Sequence, residues 1–183
     1  MAGDYWKFRM AAQMHEAGYF QNHEWKAKYF LWTAALESLF TSQGKSMGAP
    51  VAKERIKFLL EPNTLIYPPG ELVSSVLPQN MTVADVVDEV YCLRNNIAHG
   101  DKLPSYYFEM AGRDDFERPF ALSRWDTLIE AISFLVRYSL LAILRKDLIE
   151  HFRDGDTSEA YFSANGLTQG EVRKHLRTLK CPS

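Results

Sequence analysis

Apolar residues recur at helical spacing along most of this chain, and the alternating pattern of β-strands is absent. The pattern predicts helices over about Asp4–Ala17, about His23–Ser42, 51–61, Thr82 to about Gly100, about Arg124–Phe152, and from Thr168 onwards. Proline and glycine punctuate the stretches 62–80 and 100–122, which we predict to be loops. The expected fold is an all-α bundle with additional short helices.

Two helix starts carry a recognisable cap in the sequence. Thr82 is followed three residues later by Asp85, and Thr168 is followed three residues later by Glu171. Both pairs are typical of a capping box, in which two side chains satisfy backbone N–H groups of the first turn. The stretch Ile132–Leu144 is apolar nearly all round, which predicts a helix buried among others.

Length and charge narrow the possible functions. A chain of 183 residues fits a single domain, 1–183, and can bury a sizeable core. Its formal net charge of -2 argues against bulk electrostatic attraction to nucleic acid or to a membrane surface. Any contact with nucleic acid is therefore expected to be local.

The cysteines and the termini predict a soluble, cytoplasmic protein. Cys92 and Cys181 lie far apart and without metal-ligand spacing, so we expect neither a disulfide framework nor a zinc site. The first residues lack the apolar core of a signal peptide. The most apolar run, "AISFLVRYSLLAIL", is too short to cross a bilayer and contains Arg137, so no membrane association is predicted.

Several other chemistry-like patterns are weak. "SQGKSMG" lacks the first glycine of a phosphate-binding loop and follows a helix rather than a strand. His15 and His23 each neighbour a glutamate, whereas helical metal ligands are three or four residues apart, so we expect surface histidines. The alternating charges of Lys53–Lys57 predict a solvated face.

The segment from Thr82 to Gly100 is different. Val83, Val87, Val90, Arg94 and Ile97 fall within about one third of the helix surface, with Arg94 in the middle of the apolar stripe. An unpaired guanidinium is costly to bury, so this face must meet a polar partner or end at a polar cleft. An arginine that caps carbonyls, with Gly100 ending the helix, is the plain structural alternative.

The residues after Arg94 favour a binding site for an anion. Asn95, Asn96 and His99 add hydrogen-bond donors. On a straight helix, however, residues five apart point about 140° away from each other. Arg94 and His99 can meet one ligand only if the helix ends or bends between them or if two chains contribute. The second option predicts a homodimer with the motif helix along its two-fold seam.

"YCLRNNIAHGD" resembles the signature of the HEPN superfamily, the higher eukaryotes and prokaryotes nucleotide-binding domains. In that signature an Arg and a His are separated by four to six residues, and here four residues separate Arg94 from His99. The upstream "WTAALESLF" is similar to an early helix of the Apea-like branch, in which a Glu follows a short apolar run. The resemblance covers about 25–151 and leaves 156–183 as a C-terminal helical extension.

The resemblance implies an up-and-down helical bundle, often dimeric through the motif helices, and in many members a metal-independent endoribonuclease without a cofactor. Such members act in antiviral defence, in stress response as toxins, or in RNA processing. Arg94 and His99 match the catalytic pair, Asn95 matches the polar residue after the Arg, and Glu37 matches an acidic residue that orients it. Asp101 stands where toxins paired with a nucleotidyltransferase antitoxin often have a tyrosine, so that subtype is not implied.

Candidate RNA-binding residues follow the motif. Asn96, Lys102, Tyr106 and Arg113 are suited to phosphates and to stacked single-stranded bases, although the aromatic residues of this loop could instead cover the bundle. Three interpretations stay open: an endoribonuclease, a non-catalytic HEPN module that binds RNA or nucleotide or mediates dimerisation, and an unrelated helical domain. The expected partners are RNA and a second copy of the chain, with a protein partner or a fused domain also possible.

Overall fold

The structure, a computed structural model, describes residues 5–21, 25–41, 48–66, 81–99, 124–168 and 170–172. The described residues form α1 (Trp6–Tyr19), α2 (Trp25–Phe40), α3 (Gly48–Leu60), α4 (Val83–His99), α5 (Arg124–Arg145), a 3-10 helix (Ile149–Phe152) and α6 (Gly155–Ala164). No strand forms within these ranges, where Leu65 and Thr82 make an isolated antiparallel bridge. The all-α prediction is confirmed.

Helix α2 lies at the centre of the packing. It packs on α1, α3 and α5, while α4 packs most closely on α3 and α5. One continuous core joins all of these helices and reaches the 3-10 helix and α6. Its buried side chains include Leu36, Leu39, Ile56, Leu59, Val87, Val90, Ile132, Leu135, Val136, Phe152 and Phe162.

Local hydrogen bonds begin the helices where the sequence predicts them. The Thr82 N–H donates to Asp85 Oδ2 at 3.0 Å, and the Asp85 N–H donates back to Thr82 Oγ1 at 3.2 Å. Thr168 and Glu171 make the same reciprocal pair at 3.1 and 3.3 Å. Both predicted capping boxes are therefore confirmed. A third one, which the sequence analysis missed, starts α6 at Asp154.

The prediction of one long helix from Arg124 to Phe152 is wrong. Helix α5 ends at Arg145, because Asp147 takes a left-handed conformation with φ 53° and the Leu148 N–H donates to Ile143 O at 2.8 Å. The chain then turns, and Phe152 packs on the core from the 3-10 helix. Because Phe152 is apolar and packs on the same core, the sequence pattern of this segment looks like a continuation of α5.

Helix α5 is also less buried than predicted. Ile132, Leu135 and Val136 are in the core, but Arg137 and Leu144 are exposed. One side of α5 thus faces away from the bundle. Within the described ranges, no helix has the length and apolar character needed to cross a membrane.

Two cations are buried where α1, α3 and α6 meet. Lys7 Nζ donates to Thr41 O at 2.8 Å and to Ser158 Oγ at 2.6 Å. Arg55 donates to Phe40 O at 3.0 Å and pairs with Glu159 at 2.9 Å. Both are fully buried, so the prediction that 53–57 is a wholly solvated face is wrong at Arg55. They bind carbonyls at the C-terminal end of α2, where the helix dipole favours positive charge.

Cys92, on α4, is disulfide-bonded. This contradicts the expectation that the two cysteines form no disulfide. Cys181, the other cysteine of the chain, lies outside the described residues.

Candidate functional site

The apolar stripe of α4 faces the core of its own chain. Val83 is 1% exposed, and Val87 and Val90 are fully buried. These valines are therefore not available to a second chain, so a two-fold seam along the motif helix cannot run over this part of α4. Side chains of α2, α3 and α5 already cover the apolar face of α4.

Arg94 continues this stripe and is held by Glu37 on α2. Arg94 Nε lies 2.8 Å from Glu37 Oε1, in an ion pair without hydrogen-bond geometry, and Nη2 donates to Oε2 at 3.2 Å. Two contacts fix the plane of the guanidinium as well as its position. The pair also explains how an arginine can follow three buried valines, because its charge is paired where the helix leaves the core.

The ion pair is half-buried. The Arg94 and Glu37 side chains are 33% and 27% exposed, respectively. Within the described part of the chain, Glu37 occupies Nε and Nη2 and leaves Nη1 without a partner. A guanidinium in this state has one edge committed to a carboxylate and N–H donors remaining for an anion.

The spacing of apolar residues in α2 determines where Glu37 lies. Leu36, Leu39 and Phe40 are fully buried, and Glu37 lies on the flank of that apolar face. Its carboxylate therefore stays beside the core, close enough to α4 to reach Arg94. The two residues that the resemblance links are thus in contact, while their role in any reaction stays a prediction.

Two tyrosines, missed by the sequence analysis, surround the ion pair. The Tyr29 hydroxyl of α2 donates to Val90 O on α4. Tyr91 is 1% exposed, and its hydroxyl has no hydrogen-bond partner among the described residues. Tyr91 precedes Arg94 by three residues, so helical spacing places it beside the arginine, a signal that the sequence did contain.

Burial keeps both phenols neutral. It raises the pKa of Tyr29 far above its usual value, with Arg94 opposing and Glu37 adding to the rise. Burial also raises the pKa of Tyr91 well above 10.0, and the Glu37 carboxylate adds to that effect. The phenols therefore form an uncharged wall and do not supply the proton acceptor of a reaction near neutral pH.

Helix α4 continues from Arg94 through Asn95 and Asn96 to its last residue, His99. The helix does not end between Arg94 and His99, so a single chain can bring them to one ligand only if α4 bends there. The side chains of Asn95, Asn96 and His99 are not among those described. Lys102, Tyr106 and Arg113 lie wholly outside the described residues.

His15 is not the surface residue that the sequence predicts. It is half-buried, and its Nε2 lies 3.0 Å from Ser133 Oγ on α5. The Tyr19 hydroxyl lies 2.7 Å from the same oxygen. Burial lowers the pKa of His15, which favours the neutral ring. This cluster ties α1 to α5.

Among the described residues, no group of three His, Cys, Asp or Glu side chains is arranged to hold a metal ion. Comparison of the chain with protein-family models, with curated proteins and with solved structures gave no match. The function must therefore be argued from the motif and from the geometry around Arg94.

Proposed function

We propose that this protein is a metal-independent endoribonuclease of the HEPN type, with Arg94 and His99 acting on the scissile phosphate. The observation that carries the proposal is the Arg94–Glu37 pair, in which a half-buried carboxylate holds the guanidinium in a defined plane. Arginine keeps its charge at all working pH values and binds phosphate oxygens through parallel N–H donors. Glu37 therefore acts as a positioning residue and Arg94 as the phosphate-binding one.

The proposed reaction is transphosphorylation by the RNA itself. The 2′-oxygen loses its proton and forms a bond to phosphorus while the bond from phosphorus to the 5′-oxygen breaks, and the 5′-oxygen leaves as a hydroxyl. The products are a 2′,3′-cyclic phosphate and a 5′-hydroxyl end. Histidine transfers protons near neutral pH, so we assign the proton transfer to His99 and the stabilisation of the phosphorane charge to Arg94.

We further propose that each site uses Arg94 of one chain and His99 of a second copy. Residues five apart on a straight helix point about 140° away from each other, so a straight α4 would not present Arg94 and His99 to one phosphate. The proposed homodimer uses the end of α4 that carries the motif, because the valine stripe is covered by its own chain. Asn95 and Asn96 lie on this same end of α4.

RNA cleavage in EDTA tests the activity. Purified protein is incubated with structured and unstructured RNA, with and without dithiothreitol. The reductant is needed because the proposed setting is the cytoplasm, where a disulfide such as that of Cys92 meets reducing thiols. His99→Ala should lower the cleavage rate by about 10²-fold or more, whereas His151→Ala, at an exposed position of the 3-10 helix, should not. Undiminished cleavage by His99→Ala would refute the assignment.

Two further variants separate charge from geometry. Arg94→Lys keeps the charge and loses the planar fork, so activity should fall, while the matched Arg137→Lys on the exposed side of α5 should be silent. Glu37→Gln keeps the shape but loses the ion pair, and it should also lower activity. If Arg94→Lys is as active as the wild type, the guanidinium does not bind the phosphate.

Mixing the two inactive variants tests the shared site. Heterodimers of Arg94→Lys and His99→Ala contain one intact pair, so re-equilibrated mixtures should regain up to about a quarter of wild-type activity. No recovery, despite exchange of subunits, would refute the two-chain arrangement. If the wild type cleaves nothing but binds RNA in a way that needs Arg94, a non-catalytic RNA-binding module replaces the enzyme.

A further inference from the structure

A pocket lies far from the motif. A pocket of about 370 Å³ opens between the C-terminal turns of α3 and α5 and the first turn of α4. Its apolar lining consists of Leu59, Leu60, Leu65, Val83, Leu141 and Ala142. This volume is within the range of about 300–1,000 Å³ that small-molecule sites occupy. Val83 and Arg94 are about 16 Å apart along α4, so the pocket is separate from the proposed RNA site.

Backbone groups at the edge of the pocket are already paired. The Val83 N–H donates to Thr64 O at 2.8 Å, and the Ala84 N–H donates to Pro62 O at 3.0 Å. Lys146 Nζ donates to Leu59 O at 2.9 Å and so covers the C-terminal end of α3. Recognition of a ligand therefore falls mainly to side chains, namely the apolar walls, the hydroxyl-bearing Thr64 and Tyr138, and the charged residues at the rim.

Among the described residues that line the pocket, the rim has one more positive than negative charge, with Arg145 and Lys146 against Glu61. Lys146 Nζ lies 3.8 Å from Glu61 Oε1, which pairs these two charges. Arg145 lines the same pocket, is exposed, and has no ion-pair or hydrogen-bond partner within the described ranges. One unpaired guanidinium beside an apolar cavity complements a ligand with a single negative charge at one end of an apolar body.

We propose that this pocket binds a small amphipathic carboxylate, with the carboxylate on Arg145 and the apolar body against Leu141, Val83 and the other apolar walls. A monoanion fits the rim better than a phosphate dianion, because Glu61 repels the second negative charge. Glu61 holds its position in the left-handed region, at φ 66°. Glu61 directly follows the last residue of α3, where a left-handed residue commonly ends a helix, so the rim charge is fixed at the end of α3.

Calorimetric titration with decanoate below its micellar concentration tests the proposal, with 1-decanol and decyl phosphate as comparison ligands. Wild-type protein should bind one decanoate, and methyl resonances of the pocket leucines should shift. Arg145→Gln should weaken decanoate binding by about tenfold or more and leave 1-decanol unchanged. Arg9→Gln, an exposed arginine on α1, is the matched control and should not change either ligand. Glu61→Gln should increase the affinity for decyl phosphate more than the affinity for decanoate.

The outcomes that overturn the proposal are distinct. Absence of saturable decanoate binding to the wild type shows that the pocket takes no such ligand in solution. If the wild type and Arg145→Gln bind decanoate with equal affinity, the Arg145 guanidinium does not bind the carboxylate. Leu141→Trp fills the cavity and should abolish binding of both ligands, so retained affinity in a variant with wild-type circular dichroism would place the ligand elsewhere. If that variant does not fold, the Arg145→Gln comparison decides.

Discussion

Replacing Lys7 by methionine should stabilise the protein at neutral pH, and the gain should shrink as the pH rises. Lys7 is fully buried, and desolvation lowers its pKa from 10.5 to about 7, with the nearby Arg55 charge adding to the effect. A base whose pKa is lower in the folded state releases a proton on folding. The contribution of Lys7 to the free energy of unfolding therefore increases from about pH 7 towards pH 10.5, because the Lys7 side chain binds more protons in the unfolded chain over that range.

The magnitude follows from the two pKa values. Relative to a neutral side chain, folding with Lys7 costs about 4 kcal/mol at pH 7 and about 2 kcal/mol at pH 9. Methionine also loses the hydrogen bonds to Thr41 O and Ser158 Oγ, which together are worth about 2 kcal/mol at either pH. Lys7→Met should thus gain about 2 kcal/mol at pH 7 and about nothing at pH 9.

Urea unfolding at pH 7, 8 and 9 measures this difference. The comparison of Lys7→Met with the wild type cancels every other titrating group, and the lost hydrogen bonds contribute a constant offset. Lys26→Met, at an exposed position on α2, is the control and should show a constant difference. If the difference between Lys7→Met and the wild type is the same at pH 7 and pH 9, burial does not penalise the Lys7 charge and the reasoning is wrong.

Three further predictions concern stability, and urea unfolding or circular dichroism checks each of them. Gly18→Ala should lower the free energy of unfolding by about 1–3 kcal/mol, because its methyl would lie 2.1 Å from Trp32 Nε1. Gly170→Ala meets nothing within 4 Å, and an equal loss in both variants would contradict the steric explanation. Val87→Lys should unfold the chain, since Val87 is fully buried. A variant that stays folded and changes only its oligomeric state would show instead that Val87 lies at an interface between two chains. Asp154→Ala removes the capping box of α6 and should cost about 1 kcal/mol, whereas Asp154→Asn should cost less, and equal losses would show that capping is not the cause.

Short-range features were predictable from the sequence. The all-α class follows from the spacing of apolar residues, and the caps at Thr82 and Thr168 follow from side chains three residues apart. Both depend on interactions within one or two helical turns, which the order of residues specifies directly. The same holds for Arg94, whose place on an apolar stripe indicates that it needs a polar partner.

Tertiary packing decided what those local patterns mean. Periodicity shows that Val87 lies on an apolar face, but it does not show whether that face meets its own chain or another. Arg55 has the charge pattern of a solvated residue and is buried because Glu159 and Phe40 O come together around it. Phe152 continues the spacing of α5, yet a left-handed residue at Asp147 ends that helix first. For Val87 and Arg55 the deciding contacts join residues that are distant in sequence. For Phe152 the deciding feature is the turn that brings the chain back onto the core. The sequence therefore determined the helices, and the tertiary structure determined which of their faces are covered.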